Sequence, residues 1–347
     1  MKNFSWLRQM EVSLSSTLSG KKLIFGVADD YLGIDVQVYK YMGVLKDNAV
    51  IKIMNLTYGE IVRIIQEQYY IVEVKCGYKQ GKGAGQRTIF KGQVIHISND
   101  LNDNKTSIVY LLCASDLVAR FSQRRINLSL NSGINLYSAV RFICKYSGIP
   151  ETNVDKGLKQ RFLTEILSVN DTPANWVQKV IDSTPSLIGN SDSTANAILG
   201  LYDSPSTNRS MIILDDNEIN LSGGFPRLTS EGLKLTIMPT RNFICGDIIK
   251  IDNSIINISA SSTQEANSNY GYYLDQDGCY VIYEAVYSLQ NRGTNFMVEL
   301  NCKSYNLLKQ AGLIADTTTS TTTSENRYKT FTNPLQSFNL QNIPMVQ

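Results

Sequence analysis

The chain has 347 residues, of which 43% are hydrophobic and 18% are charged, and its formal net charge is +2. A chain of this length usually forms two or three domains with cores of their own. The small net charge excludes a strong field that would attract nucleic acid or an anionic membrane, and no apolar run approaches the roughly 20 residues of a membrane span. Glu11 and a serine/threonine run stand where a signal peptide would be apolar, so we expect none.

Strand patterns dominate the first third of the chain. Residues 33–41, 49–55 and 70–76 alternate apolar and polar side chains, which is the period of a half-buried strand. Before the third of these, Thr57 is followed three residues later by Glu60. This capping-box pattern predicts a short helix, although a glycine inside it is unfavourable. A further strand is predicted over residues 88–98.

The strand predicted at residues 107–113 differs because it is apolar on both faces. One face carries Ile108, Tyr110 and Leu112, and the other carries Val109, Leu111 and Cys113. Two apolar faces are typical of a central strand in an ordinary two-layer domain. They are equally typical of a strand whose outer face is covered by another domain or subunit. The sequence leaves both alternatives open.

Residues 77–87 are rich in glycine and predict a long hairpin loop. The loop and its flanks carry a basic run without acids: Lys75, Lys79, Lys82, Arg87 and Lys91. Such a run is typical of a solvated hairpin, and it also suits contact with phosphates or with an acidic partner surface.

Helical periodicity replaces alternation after residue 115. Residues 131–148 show one apolar helical stripe, with Asn131 or Ser132 as the candidate N-cap. A second helix is predicted at Pro173, because proline fits the first helical turn, and Trp176 lies on its apolar face. Residues 189–210 are polar and predict a loop.

Strand patterns return over residues 221–301, most clearly at 232–238, 247–252, 279–289 and 294–302. The last of these ends in Cys302-Lys-Ser304, as the strand after Thr106 ends in Cys113-Ala-Ser115. The two β regions therefore resemble weak copies of one module, and chance similarity of two hairpins is the alternative. Residues 315–324 are threonine-rich and predict a flexible linker.

Candidate catalytic and ligand-binding residues are sparse. His96 is the one histidine, and a histidine inside a strand is more often structural than catalytic. The six cysteines are scattered without a Cys-x-x-Cys pair, which predicts small buried residues in a reducing compartment. Residues 275–278 lack the later ligands of a calcium loop, and residues 81–85 lack the ending of a phosphate loop. We expect no catalytic residue, no metal site and no cofactor.

The order of these motifs resembles that of bacteriophage tail (baseplate) hub proteins. The resemblance begins with an isoleucine-rich strand ending in Asn-Leu (51–56), a strand ending in Gly-Tyr (69–78) and a Phe-x-Gly strand (88–94). The helix start Val-Asn-Asp-Thr-Pro-Ala-Asn-Trp (169–176) and the strand Cys-Gly-Asp-Ile-Ile-Lys-Ile-Asp (245–252) are similar as well. Met54, where the family often has tyrosine, and the C-terminal tail depart from the pattern.

The resemblance implies a mainly β fold with α: two tube-like β-barrel domains and an inserted α/β region with helices. It implies a homotrimer whose six barrels join the tail tube protein above to the central spike protein below, among other baseplate proteins. DNA would leave through the lumen. The protein would be a structural part of the virion tail, preferably a contractile one, assembled in the host cytoplasm. The alternatives are another connector that terminates the tube, or a tail enzyme that degrades peptidoglycan.

The predicted domains are residues 1–118 (first barrel), 119–220 (inserted region), 221–305 (second barrel) and 306–347 (linker and tail). Two segments are predicted to contact partners. The hairpin 77–87 would reach a neighbouring ring or subunit, and the apolar residues of the tail would dock on another chain. The residues expected in these contacts are Tyr78, Lys82, Arg87, Phe331, Leu335, Phe338 and Ile343.

Overall fold

A computed structural model describes residues 6–26, 32–41, 47–80, 84–102, 106–115, 125–147, 159, 162–173, 175–176, 179, 211–214, 218–219, 224–229, 232–258 and 274–310. Within these residues, 14 strands form one sheet and two more strands form a separate pair. The mainly β fold with helices is therefore confirmed. The predicted loop at 189–210, the threonine-rich linker and the tail lie outside the described residues.

The first strand set comes from the N-terminal part of the chain. It comprises β1 (Trp6–Ser15), β2 (Lys22–Phe25), β3 (Gly33–Tyr41), β4 (Asn48–Met54), β5 (Ile71–Gln80), β6 (Gly85–Asn102) and β7 (Thr106–Ser115). Their order across the sheet is β3-β4-β7-β6-β5-β1-β2, and neighbouring strands run antiparallel. Helix α1 (Tyr58–Gln66) connects β4 to β5 and has the predicted capping box, in which Thr57 Oγ1 accepts the Glu60 N–H at 3.3 Å.

A small helical region follows the first strand set. Strands β8 (Ile126–Leu130) and β9 (Leu167–Asp171) pair antiparallel, and helix α2 (Leu136–Ser147) lies between them in the chain. The predicted apolar stripe of α2 is buried. The predicted N-cap is wrong: the helix begins later, and Asn135 Oδ1 accepts the Ser138 N–H at 3.3 Å. Asn131 and Ser132 precede a turn at Gly133, whose φ is +78°.

The second strand set comes from the C-terminal part. It comprises β10 (Met211–Ile213), β11 (Arg227–Thr229), β12 (Gly232–Ile237), β13 (Ile248–Lys250), β14 (Asn257–Ile258), β15 (Cys279–Gln290) and β16 (Phe296–Ser304). Their order is β14-β11-β12-β16-β15, and β13 pairs with the start of β15 on its other edge. Helix α3 (Tyr305–Gln310) follows β16. The four strands predicted most clearly here correspond to β12, β13, β15 and β16.

The predicted hairpin loop at 77–87 is wrong in its extent. β5 continues to Gln80 and β6 begins at Gly85, so most of the segment is strand. Gly77 suggested a loop but marks a close approach between strands, since a Cβ there would collide with the Gly85 carbonyl. Residues 81–83, between the two strands in the chain, lie outside the described residues.

The two strand sets repeat the same five strands in the same chain order. β3, β4, β5, β6 and β7 correspond to β11, β12, β13, β15 and β16. In each set the last strand lies between its hairpin partner and an earlier strand: β7 between β6 and β4, and β16 between β15 and β12. The similarity between the two Cys-x-Ser strands therefore extends to their place in the sheet.

The two corresponding hairpins also carry a β-bulge at the same position. In the first, Val94 lies opposite Cys113 and His96 opposite Leu112, so Ile95 is the extra residue. Bulges are designed features that bend a strand at a fixed position.

The second hairpin repeats this register. Ile282 lies opposite Cys302 and Glu284 opposite Asn301, so Tyr283 is the extra residue. In both hairpins the residue before the bulge donates its N–H to the residue that immediately precedes the strand on the other edge. Val94 donates to Tyr70 O at 2.7 Å, and Ile282 donates to Asp247 O at 2.9 Å.

Strands β3 and β15 join the two sets edge to edge. Residues 35–41 pair antiparallel with residues 284–290, and the sheet continues from one set into the other. Val36 and Val38 lie opposite Leu289 and Tyr287, and all four side chains are fully buried. We call this β3–β15 pairing the seam. Because its side chains belong to one apolar face, the two sets share a continuous core.

Strand β7 shows the predicted two apolar faces. Val109, Leu111 and Cys113 are fully buried, whereas Leu112 on the other face is 39% exposed. The described part of the chain therefore covers only one face of β7. Coverage of the other face by a second subunit stays a prediction.

The first prediction concerns the seam. Tyr287 is fully buried, and its hydroxyl accepts the Phe243 N–H at 2.7 Å. Tyr287→Phe leaves that buried N–H without this acceptor, so we expect the free energy of unfolding to fall by about 1–3 kcal/mol in urea titration. Tyr39→Phe is the matched control, since its half-exposed hydroxyl donates only to Gln37 Oε1, and a change below about 0.5 kcal/mol is expected. Equal losses in the two variants would contradict a special role of the seam hydroxyl.

Candidate functional site

The segment that follows β12, residues 238–247, contacts both strand sets at the seam. Lys40 on β3 donates to Asn242 Oδ1 at 2.6 Å and to Phe243 O at 3.3 Å. The same ammonium lies 5.2 Å from the centre of the Tyr287 ring. Arg87 on β6 donates to Thr240 O. The first set thus holds the segment by charged side chains. The second set holds it by the chain connection to β12 and by hydrogen bonds, including the one from the Phe243 N–H to the Tyr287 hydroxyl.

Residues of this segment also contact the buried carboxylate of Glu218. Thr240 Oγ1 donates to Glu218 Oε1 at 3.0 Å, and Arg241 Nη2 lies 3.1 Å from the same oxygen. Glu218 is buried, and a buried carboxylate is favourable only when charges and donors surround it. These contacts hold in place the backbone whose carbonyl groups accept hydrogen bonds from Lys40 and Arg87.

A cleft of about 150 Å³ opens where this segment meets β3 and β6. Lys40, Tyr41, Asp47 and Lys91 contribute polar groups to its wall. Burial, and then the Glu284 carboxylate, raise the pKa of Tyr41 to about 12, so its hydroxyl stays protonated at neutral pH. The cleft is smaller than the roughly 300–1,000 Å³ typical of small-molecule sites, which makes it a polar gap at the seam.

The sheet face opposite the core extends over both strand sets. Alternate residues of β12, β16, β15, β3, β4 and β7 point to it, and most of these side chains are half-buried. Charges on this face are paired across strands: Lys52 lies 4.0 Å from Asp35, and Lys234 lies 2.7 Å from Glu299. We call this surface the outer face. It is continuous across the seam and has little net charge.

The Asp275 turn is a densely hydrogen-bonded polar site. The side chain is 1% exposed, and its two oxygens accept five hydrogen bonds of 2.7–3.3 Å. The donors are the backbone N–H groups of Asp277, Cys279 and Asn306, the Ser304 hydroxyl and the Asn306 amide. Gly278 has a φ of +67°, as the predicted glycine turn requires. The turn thereby ties the start of β15 to the start of α3.

Few of the described residues are candidates for a catalytic or metal-binding role. His96 is exposed on β6, one residue beyond the bulge. All six cysteines are free and buried, and burial raises the pKa of Cys76 and Cys113 to about 12. A thiol with so high a pKa is protonated at neutral pH and is a poor nucleophile. Across the described ranges, no group of three or more histidine, cysteine or carboxylate side chains could hold a metal ion.

Two of the predicted partner residues contact the chain's own second strand set. Tyr78 is 2% exposed, and its ring meets Phe296 edge-on at 5.5 Å between centroids. Arg87 is exposed on β6 and reaches Thr240, as described above. The remaining predicted residues lie outside the described residues: Lys82, Phe331, Leu335, Phe338 and Ile343. Sequence reasoning missed Lys40 and Tyr287, since no local pattern relates positions more than 200 residues apart.

Comparison with known proteins finds chains of similar structure but none of matching sequence family. No family model matches this chain, and no curated protein matches its sequence. Among solved structures, the chain is similar to a tail protein of Neisseria meningitidis MC58, with 8% identity, 88% of this chain and 99% of that chain covered, and a TM-score of 0.45. It is also similar to the 43 kDa tail protein of prophage MuSo2 from Shewanella oneidensis, with 9% identity, 86% and 97% covered, and a TM-score of 0.46.

A third similar structure belongs to a secretion system. It is the E. coli c3393 protein, a type VI secretion component described as similar to the T4 tail proteins gp27 and gp5. The identity is 10%, with 79% of this chain and 73% of that chain covered, and the TM-score is 0.44. Tail proteins, the class that the sequence resembles, are thus among the similar structures. With TM-scores below 0.5, these similarities do not by themselves assign a function. In the part of the chain that the structure describes, no helix is long and apolar enough to cross a membrane.

The second prediction tests the Asp275 turn. Asp275→Asn places an amide N–H₂ against donors, so at least one buried donor loses its acceptor. We expect the free energy of unfolding to fall by about 2–4 kcal/mol in urea titration. Asp252→Asn is the control, because Asp252 accepts the N–H and the hydroxyl of Ser254 at an exposed site, where asparagine caps equally well. A change in Asp275→Asn no larger than that in Asp252→Asn would contradict the assigned role.

Proposed function

We propose that this chain is a structural hub protein of a bacteriophage tail baseplate, with no catalytic activity of its own. The observation that carries this proposal is the repeated five-strand module, whose two copies share one bulge register and lie in one sheet. A chain with two similar modules is suited to match a threefold partner to a sixfold one. The ordered strand motifs that resemble hub proteins support the same conclusion.

In this proposal three chains form a closed ring with six module positions. The ring adapts the sixfold tail tube to a threefold spike inside the virion tail. Of the two tail types, we favour a contractile tail. The ring assembles in the cytoplasm of the host bacterium. Each module is one tube-like barrel domain. The inserted domain lies within residues 119–220, of which Met211–Ile213 add strand β10 to the second module. Cyclic rings use heterologous contacts, in which two different surfaces of the same chain meet.

The outer face is the surface that we assign to the lumen through which DNA leaves. It spans both modules, and its charges are neutralised across strands by the Lys52–Asp35 and Lys234–Glu299 pairs. A basic wall would bind the phosphate backbone and slow its passage, because phosphate contacts by lysine and arginine dominate affinity for DNA. A wall without net positive charge favours free passage.

Contacts outside the ring are assigned to two segments. The hairpin tip between β5 and β6, with Lys82, would meet a neighbouring ring, and the tail beyond the threonine-rich linker would dock on another chain through Phe331, Leu335, Phe338 and Ile343. An extended segment with spaced apolar anchors is a common way to bind a partner.

The third prediction concerns the oligomer. Mass photometry of the purified chain should give a main species of three times the 38.8 kDa chain mass. A species of six chains would favour the alternative, a tube-terminating connector of the same lineage. A strict monomer that binds neither tube nor spike would contradict the proposal.

The fourth prediction tests the enzymatic alternative. Purified protein should release no more material from peptidoglycan than buffer does, because the exposed His96 is not among the described residues that line the cleft. His96→Ala should behave as the wild type. Turbidity clearing by the wild type that is lost in His96→Ala would overturn the structural assignment.

A further inference from the structure

Beyond its bulge, strand β6 leaves one edge open. Before the bulge, β6 pairs with β5 on one edge and β7 on the other. From His96 to Asn102 it pairs with β7 alone, and no described strand lies on the other edge. A seven-residue open edge without lysine or proline exposes a row of backbone donors and acceptors, which proteins usually protect. This edge is therefore a candidate site for pairing with a strand of another chain.

The corresponding edge in the second module is occupied. The equivalent residues of β15, 284–290, pair with β3 of the first module over seven residue pairs. The two hairpins have the same bulge, and the strands before the bulge are paired in the same way. The edge of β15 beyond its bulge is thus occupied at the seam, whereas the corresponding edge of β6 is open among the described strands.

We propose that residues 98–100 of β6 pair with β11 of a second copy of this chain, as the equivalent residues 286–288 of β15 pair with β3. β11 corresponds to β3, because each pairs with the strand that lies next to the Cys-x-Ser strand. The inference rests on the proposed ring and names its contact. One edge of each chain meets the opposite end of the sheet in the next chain, which is the heterologous contact that a ring needs.

The equivalence fixes the register of this contact. Asp100 lies four residues beyond His96, as Ser288 lies four beyond Glu284, and Ser288 pairs with Gln37. In the first module Val38 lies opposite Ala49, which in turn lies opposite Cys113. In the second module Leu228 lies opposite Leu233, which in turn lies opposite Cys302. Val38 therefore corresponds to Leu228, and the residues that precede them, Gln37 and Arg227, correspond to each other.

Asp100 of one copy therefore lies opposite Arg227 of the next. Both side chains are exposed in the single chain. Opposite charges directly across two strands stabilise their pairing, and like charges destabilise it. This complementarity was not used to derive the register, so it supports a second copy as the occupant independently.

Strand β14 occupies this edge of β11 in the single chain. It makes two residue pairs, with Arg227 and Leu228, and it runs parallel to β11. Parallel pairing is slightly less stable per residue than antiparallel pairing, and the new contact adds a third residue pair. We infer that β14 leaves this edge when the neighbouring β6 adds to it.

The test uses charge reversal in the full chain. Asp100→Arg and Arg227→Asp each place like charges opposite one another, so each should raise the concentration at half-dissociation of the trimer by about 5- to 10-fold in mass photometry. The double variant Asp100→Arg/Arg227→Asp restores an opposite pair and should return to within about twofold of the wild type. Lys145→Glu, an exposed charge reversal on α2, is the control and should leave the trimer unchanged.

The outcomes separate the inference from the proposed function. A trimeric wild type with both single variants weakened and the double variant restored supports the β6–β11 contact. A trimeric wild type whose single variants are unaffected, or whose double variant is not restored, overturns this contact and leaves the hub proposal standing. A wild type that is monomeric overturns both. The control for folding is the thermal unfolding midpoint of each variant. A midpoint equal to that of the wild type shows that the substitution acts on assembly and not on folding.

Discussion

The pairing of β3 with β15 is the constraint on which the rest of the structure depends. Two strand sets separated in the chain by residues 116–210 become one sheet because seven residue pairs join their edges. Main-chain hydrogen bonds fix the register, and the apolar side chains of both strands enter one core, so a slip by one residue would expose them. Lys40 and Arg87 add polar links from the first set to the segment after β12. The two modules therefore have one fixed orientation.

A fixed orientation between two similar modules is what an adaptor of symmetry needs. If the modules moved independently, three chains would present six units at variable angles, and a sixfold partner could not match them. The shared bulge indicates that the two modules bend their hairpins alike, and bending at a set position controls the curvature of a sheet. The differences between the copies, such as α1 in the first and the Asp275 turn in the second, lie in the connections outside the shared strands.

The sequence predicts the strands well where one face is buried, because alternation then has a strong signal, as in β3, β4 and β16. It also predicts α1, since Thr57 and Glu60 give a local capping pattern. It fails where a residue type has two uses. Gly77 suggests a loop but permits close strand contact, and Asn131 suggests a cap but precedes a turn. The seam is invisible to local patterns, because β3 and β15 meet only through tertiary structure.

A cryo-EM reconstruction of the purified oligomer tests the central claim. The account predicts threefold symmetry, with the β3–β15 pairing intact in each chain and six similar hairpins arranged around one channel. A reconstruction in which β3 and β15 are not paired, or in which each chain supplies only one hairpin to the ring, would contradict it.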